Sequence, residues 1–335
     1  MKVLKYDSTF TTETGYTFPS LEIAYDTWGT LNESADNVIW VCHALTANSN
    51  VTAWWPNMVG EGLAFDTRRY FIVCVNILGS CYGTTGPLSI NPETGVPWFN
   101  DFPLITVRDV VNVLEIIRKH LGIKNINTII GSSIGGYQAL EYSIMFPDLI
   151  RNLVFIASSA KQSPWAIAFN ESQRLAIEAD ATFYDHNPQG GKKGLRAARS
   201  IGLLSYRTPY AYNTTQAEND DEKITSFKAS SYQDYQGDKL VRRFNAWSYY
   251  RLTQLADSHN VGRGRDDVEK ALKIIKARTL CIGIKSDMLY PVSEQKYVAE
   301  NVKNGHYGEI DSFYGHDGFL IETGQVTEIL KKFMG

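Results

Sequence analysis

A serine hydroxyl is a useful nucleophile only when a base takes its proton and nearby donors receive the oxyanion that follows. Gly131-Ser132-Ser133-Ile134-Gly135 has the G-x-S-x-G spacing that meets the first requirement halfway. The motif needs a strand before it and a helix after it, and both patterns are present. A sharp strand-to-helix turn crowds its flanking residues, so glycines stand there, and the central serine is held strained with its oxygen exposed. The helix start behind it offers unpaired N–H groups and a positive dipole end. The N–H of Ile134 would face a developing oxyanion. Ser132 is the weaker candidate. A phosphate-cradling loop fits less well, because G-K-[ST] is missing and the glycines do not match G-x-G-x-x-G.

The base must be a histidine that follows the serine, with an acid between them. Of six histidines, His186, His259, His306 and His316 follow Ser133. His316, in Phe313-Tyr314-Gly315-His316-Asp317-Gly318, comes just after a strand expected at 308–311, at the carboxyl end where α/β sites collect. His306 precedes that strand, at the wrong end. His186 and His259 read as surface residues of another region. Asp287 ends the strand pattern that precedes His316, and is the expected orienting acid. His43-Ala44-Leu45-Thr46 follows an early strand, and Leu45 N–H is the expected second oxyanion donor. His43 itself reads as structural. Neither Cys42 nor Cys81 sits on a strand-to-helix elbow, which argues against a cysteine nucleophile.

These residues need a rigid frame. Apolar, β-branched runs at 38–42, 70–75, 127–130, 153–156 and 279–284 are nearly continuous, the pattern of parallel strands buried on both faces. Between them, Val107, Val110, Val111, Leu114, Ile117 and Leu121 form one helix face ending before Gly122. Residues 134–145 form a second helix that stops at Phe146-Pro147. Alternating strands and helices imply a mostly parallel sheet with right-handed crossovers. The rhythm breaks between 162 and 276, which is helical and rich in tyrosine. The expected organisation is an α/β core from 1–161 and 277–335, interrupted by a helical lid at 162–276. Within the lid, Glu218-Asn219-Asp220-Asp221-Glu222-Lys223 reads as an exposed loop, and Gly262-Arg263-Gly264-Arg265 as a flexible basic loop.

Composition narrows the class. The 335 residues are 44% hydrophobic and 21% charged, with a net charge of −3. Such a chain buries an ample core and has no general attraction to nucleic acid or anionic membranes. Four cysteines without a C-x-x-C pair exclude a disulfide scaffold and a zinc ribbon. The first residues lack a signal-peptide apolar region, and no apolar run reaches about 18 residues. The expectation is a soluble, cytoplasmic protein with no membrane or nucleic-acid partner.

Several further segments resemble the homoserine O-acetyltransferase family, acyltransferases of the α/β-hydrolase fold. They include Cys42-His43-Ala44-Leu45-Thr46, the run from Asn76 to Pro87 with its Cys81-Tyr82-Gly83-Thr84-Thr85-Gly86-Pro87, and Phe102-Pro103-Leu104-Ile105-Thr106. Ala168-Phe169-Asn170-Glu171, Tyr235-Gln236-Gly237-Asp238-Lys239 and Gly315-His316-Asp317-Gly318-Phe319-Leu320 extend the resemblance over nearly the whole chain. It implies an α/β-hydrolase fold with a helical lid and a triad of Ser133, Asp287 and His316. It implies Leu45 and Ile134 as oxyanion donors, and Arg199, Tyr206 and Asp317 as residues that hold the amino-acid substrate. The residue chemistry agrees. Arg199 and Tyr206 stand seven apart in a helical pattern, hence on one face. A guanidinium suits a carboxylate, and Asp317 suits an ammonium. The implied reaction passes acetyl from acetyl-CoA to L-homoserine through an acyl-serine, in methionine biosynthesis. It needs no metal and no permanently bound cofactor, and the family implies a homodimer. Succinyl-CoA as donor, serine as acceptor, or water as acceptor in an esterase are the alternatives on the same triad.

Overall fold

The strongest strand patterns become the centre of one sheet. In the computed structural model, which describes residues 1–334, eight strands form it: β1 (Lys2–Tyr6), β2 (Leu21–Trp28), β3 (Val38–Cys42), β4 (Phe71–Val75), β5 (Ile126–Ser132), β6 (Ile150–Ile156), β7 (Arg278–Ile284) and β8 (Gly305–Ile310). Their spatial order is β1-β2-β4-β3-β5-β6-β7-β8. From β4 to β8 every pairing is parallel, whereas β1 with β2 and β2 with β4 are antiparallel. This is the α/β-hydrolase arrangement. The sheet is mostly parallel, as expected; its antiparallel edge of β1 and β2 is not among the strands expected from the sequence. Its strands escaped notice because β1 is mostly exposed and β2 mixes Glu22, Asp26 and Thr27 with apolar residues. An edge strand wetted on one side has no continuous apolar run.

Burial on both faces explains the central strands. Along β3, Val38, Trp40 and Cys42 join one core, while Ile39 and Val41 join the other. The first core is closed by the helices Val107–His120 and Ile134–Met145. The second is closed by the carboxyl-terminal helix Thr323–Met334, through Val326, Leu330 and Phe333. The Val107–His120 helix starts with a capping box between Thr106 and Asp109, which satisfies two of its free N–H groups. Ile134–Met145 is buried along almost its whole length, so it lies in the middle of the layer.

Between β6 and β7 the chain forms helices at Pro164–Glu178, Lys192–Tyr206, Pro209–Thr215, Lys228–Val241, Ala246–Asp257 and Val268–Lys273. None of the sheet's strands comes from this stretch among the described residues. Its Gly262–Arg265 turn differs from expectation. Arg263 pairs with Glu13 at 2.7 Å, and Arg265 pairs with the buried Glu141 at 2.6 Å. Arg108 bridges both carboxylates at 2.9 Å each. The basic loop is therefore pinned to the core by its own charges. No helix of the described residues is long and apolar enough to cross a membrane.

Candidate active site

Ser133 occupies the turn between β5 and the Ile134–Met145 helix, with φ 55° and ψ −129°. That is the left-handed region, costly for a serine, and the surroundings hold it there. Its N–H donates to Ile156 O at 3.0 Å, and its carbonyl accepts from Ser158 Oγ at 2.7 Å and from Gly136 N–H at 2.8 Å. The flanking glycines are needed for closeness. A Cβ on Gly131 would lie 2.0 Å from Gly135 O, and one on Gly135 would lie 2.2 Å from Cys42 O. The helix thus packs directly on the end of β3. Ile134 is its first residue, so its N–H has no partner inside the helix.

Beyond β3, His43 is buried and anchors the next loop. Its Nδ1 lies 2.8 Å from Ala44 O, and its Nε2 accepts from Ile77 N–H at 3.2 Å. Only the neutral ring with its proton on Nδ1 makes both bonds. Burial, partly offset by the Ala44 carbonyl, pulls its pKa down to about 4. This is a structural role, and it places Leu45 beside Ser133, where both line the same two cavities.

Asp287 follows β7 and is buried. Its Oδ1 accepts the N–H groups of Leu289 at 2.8 Å and Tyr290 at 2.9 Å. Its Oδ2 lies 2.7 Å from Nδ1 of His316, which follows β8 in a short turn. Burial opposes a charge on His316. The Asp287 charge and hydrogen bond, with the Asp317 charge, outweigh it and raise the pKa above the ordinary value. Nε2 is left as the free nitrogen. Ser133 and His316 line one cavity of about 480 Å³. No hydrogen bond joins them in this resting arrangement among the described residues; such contacts commonly tighten only when substrate is bound.

The same cavity receives Arg199, Tyr206 and Asp317. The Arg199 guanidinium lies 5.4 Å from the Tyr206 ring centre, so the two share a helix face. Asp317 is not a bare carboxylate, because Arg207 pairs with it at 3.0 Å. Sequence reading missed Arg207, Lys239 and Arg243, which also reach the cavity. The signal for the last two was the helical spacing of Gln236, Lys239 and Arg243. It also missed Tyr290, whose ring lies 5.3 Å from that of His316 and whose hydroxyl lies 2.6 Å from that of Tyr137.

The other histidines lie elsewhere. His306 is inside β8 near its amino end, so the strand starts earlier than expected. His186 is exposed and stacks on Phe99. His259 is not a surface residue. It is buried, 3.8 Å from the Tyr137 ring, with Nε2 3.1 Å from Ser159 O, and burial lowers its pKa to about 3. The polar sequence around it conceals that the 259–261 segment folds back against residues 159–162, just beyond β6.

The family model for the alpha/beta hydrolase fold matches residues 37–323. A homoserine O-acetyltransferase of Cyclobacterium marinum is 50% identical over 321 residues, covering 96% of this chain and 91% of that protein. The crystal structure of homoserine O-acetyltransferase from Bacillus anthracis superposes with a TM-score of 0.92 at 25% identity, covering 100% of this chain and 97% of that one. Esterase E22 superposes with a TM-score of 0.91 at 23% identity, covering 100% and 99%, and shows the shared fold alone. With half of its residues matched across nearly the full length of such a relative, the chain belongs to the homoserine O-acetyltransferase family of the α/β-hydrolase fold.

Proposed function

We propose that the protein is a homoserine O-acetyltransferase that works by double displacement. The observation that carries the reading is the Asp287–His316 pair facing the cavity that also holds Ser133. His316 Nε2 takes the Ser133 proton as Oγ attacks the thioester carbonyl of acetyl-CoA. The Leu45 and Ile134 N–H groups receive the oxyanion. The C–S bond breaks, and His316 returns the proton to the departing thiolate. The homoserine hydroxyl then gives its proton to His316 and attacks the acetyl carbon. Ser133 Oγ leaves and regains a proton from His316, so the cycle closes. Arg199 holds the amino-acid carboxylate, and Asp317 and Tyr206 complete that subsite.

Acetyl rather than succinyl is supported by the second cavity. It shares Leu45, Ser133 and Tyr206 with the first, also touches Ile134, and has a volume of about 30 Å³. A narrow space of this kind suits a methyl group better than a four-carbon chain. No lysine or arginine lines it to meet a succinyl carboxylate.

The test is a panel crossing acetyl-CoA and succinyl-CoA with homoserine, serine and no acceptor, following free thiol and ester product. O-acetylhomoserine is the expected product, with an acetyl adduct on Ser133 visible by mass spectrometry when the acceptor is left out. Acetate released at the same rate with and without homoserine would mark a hydrolase instead. Faster turnover of succinyl-CoA would overturn the donor assignment.

A further inference from the structure

The main cavity holds more positive charge than an amino acid can use. Arg199, Arg207, Lys239 and Arg243 line it against one carboxylate, that of Asp317. Asp317 is paired with Arg207, and Arg199 lies over the Tyr206 ring beside His316. A zwitterionic amino acid brings a single carboxylate, which Arg199 serves. Lys239 and Arg243 then have no anionic partner in that substrate, and neither is paired with a carboxylate among the described residues.

These two cations are also arranged apart from the reacting atoms. Gln236 and Lys239 lie on the Lys228–Val241 helix, and Arg243 follows just beyond its end, so all three face the cavity. Lys239 and Arg243 are exposed, whereas His316 is buried and Ser133 half-buried, so the cavity runs from a basic rim down to the nucleophile. The Arg243 head is fixed in advance. Nη1 donates to Thr46 O and, at 2.6 Å, to the Tyr82 hydroxyl. A guanidinium held this way forms bonds to an anion at little entropic cost.

We propose that Lys239 and Arg243 form the recognition site for the phosphate groups of the acyl donor's nucleotide tail. The inference rests on the transferase reading and deepens it. The pantetheine arm then spans the cavity, carrying the thioester to Ser133 while the phosphates stay at the rim. Arg243 also clips the helical segment to the Thr46 loop, so Lys239 gives the cleaner variant.

Steady-state kinetics with homoserine and two donors test this: acetyl-CoA, and S-acetyl-pantetheine, which has the same thioester and no phosphate. Lys239→Ala should raise KM for acetyl-CoA about tenfold, the scale of one charge-assisted bond, with kcat and the KM for S-acetyl-pantetheine changed less than twofold. Added salt should raise KM for acetyl-CoA alone in the parent protein. An equal change on both donors, or none with acetyl-CoA, overturns the proposal. If neither donor supports transfer in the parent protein, the transferase reading fails separately. Calorimetry with adenosine 3′,5′-bisphosphate then still decides the rim: tighter binding to parent than to Lys239→Ala upholds it, and equal or absent binding refutes it.

Discussion

At the scale of single residues, the proposed mechanism has the pair of Asp287 and His316 set the working pH. Only the neutral imidazole can accept the Ser133 proton, and the Asp287 carboxylate holds the ring's pKa above its ordinary value of 6.5 despite burial. Activity should therefore rise with pH, with the acidic limb of kcat/KM centred above 6.5. Asp287→Asn removes the charge that raises it and frees the ring to adopt the wrong tautomer. The limb should move to lower pH, and kcat/KM should fall by about ten-thousand-fold, the loss seen when an orienting acid is neutralised in a serine triad. Matched pH–rate profiles of the two proteins check this. An unmoved limb with the rate retained would assign the base to another group.

Elements explain why those residues can meet. The serine turn works because the helix behind it touches the end of β3, and that contact tolerates no Cβ. Gly135→Ala would drive a methyl to 2.2 Å from the Cys42 carbonyl, a backbone atom that cannot rotate away. The helix must move off the strand, taking the Ile134 N–H away from Leu45. Thermal unfolding should show a loss of about 2–3 kcal/mol, and kcat should fall with it. Gly324→Ala, with nothing within 4 Å of the added carbon at the start of a helix, is the contrasting case. It should be neutral or stabilise by up to about 1 kcal/mol.

Over the whole molecule, two buried histidines tie stability to pH. His43 and His259 stay neutral in the fold, with pKa values near 4 and 3, and each takes up a proton near 6.5 once unfolded. The unfolded chain thus binds more protons below 6.5, so stability falls as pH drops from there toward 4. The combined loss should reach a few kcal/mol, read from denaturant midpoints at pH 7.5 and 5. His259→Phe keeps a ring beside Tyr137 and removes one titrating group. Its stability should decline less between those two pH values than the parent's, and an equal decline would assign the effect elsewhere.

The amino-acid order alone was enough for the features that depend on neighbours in the chain. The Gly131–Gly135 turn, the doubly buried strands, the 134–145 helix and the acid and histidine at strand ends all follow from spacing and local sterics. Hydrophobic periodicity reports burial of a continuous face, so β3 and the Val107–His120 helix stood out. The exposed edge strand β1 and its neighbour β2, which mixes polar with apolar residues, did not. Contacts between distant segments were decided only by the folded chain. Arg207 beside Asp317, His259 against Tyr137, the clamp of Glu13 and Glu141 on the basic turn, and the tie of Arg243 to Thr46 and Tyr82 join segments that local pattern cannot relate. A charged side chain looks the same in sequence whether it meets water, a carboxylate or a substrate. Its partner is chosen when the chain closes on itself.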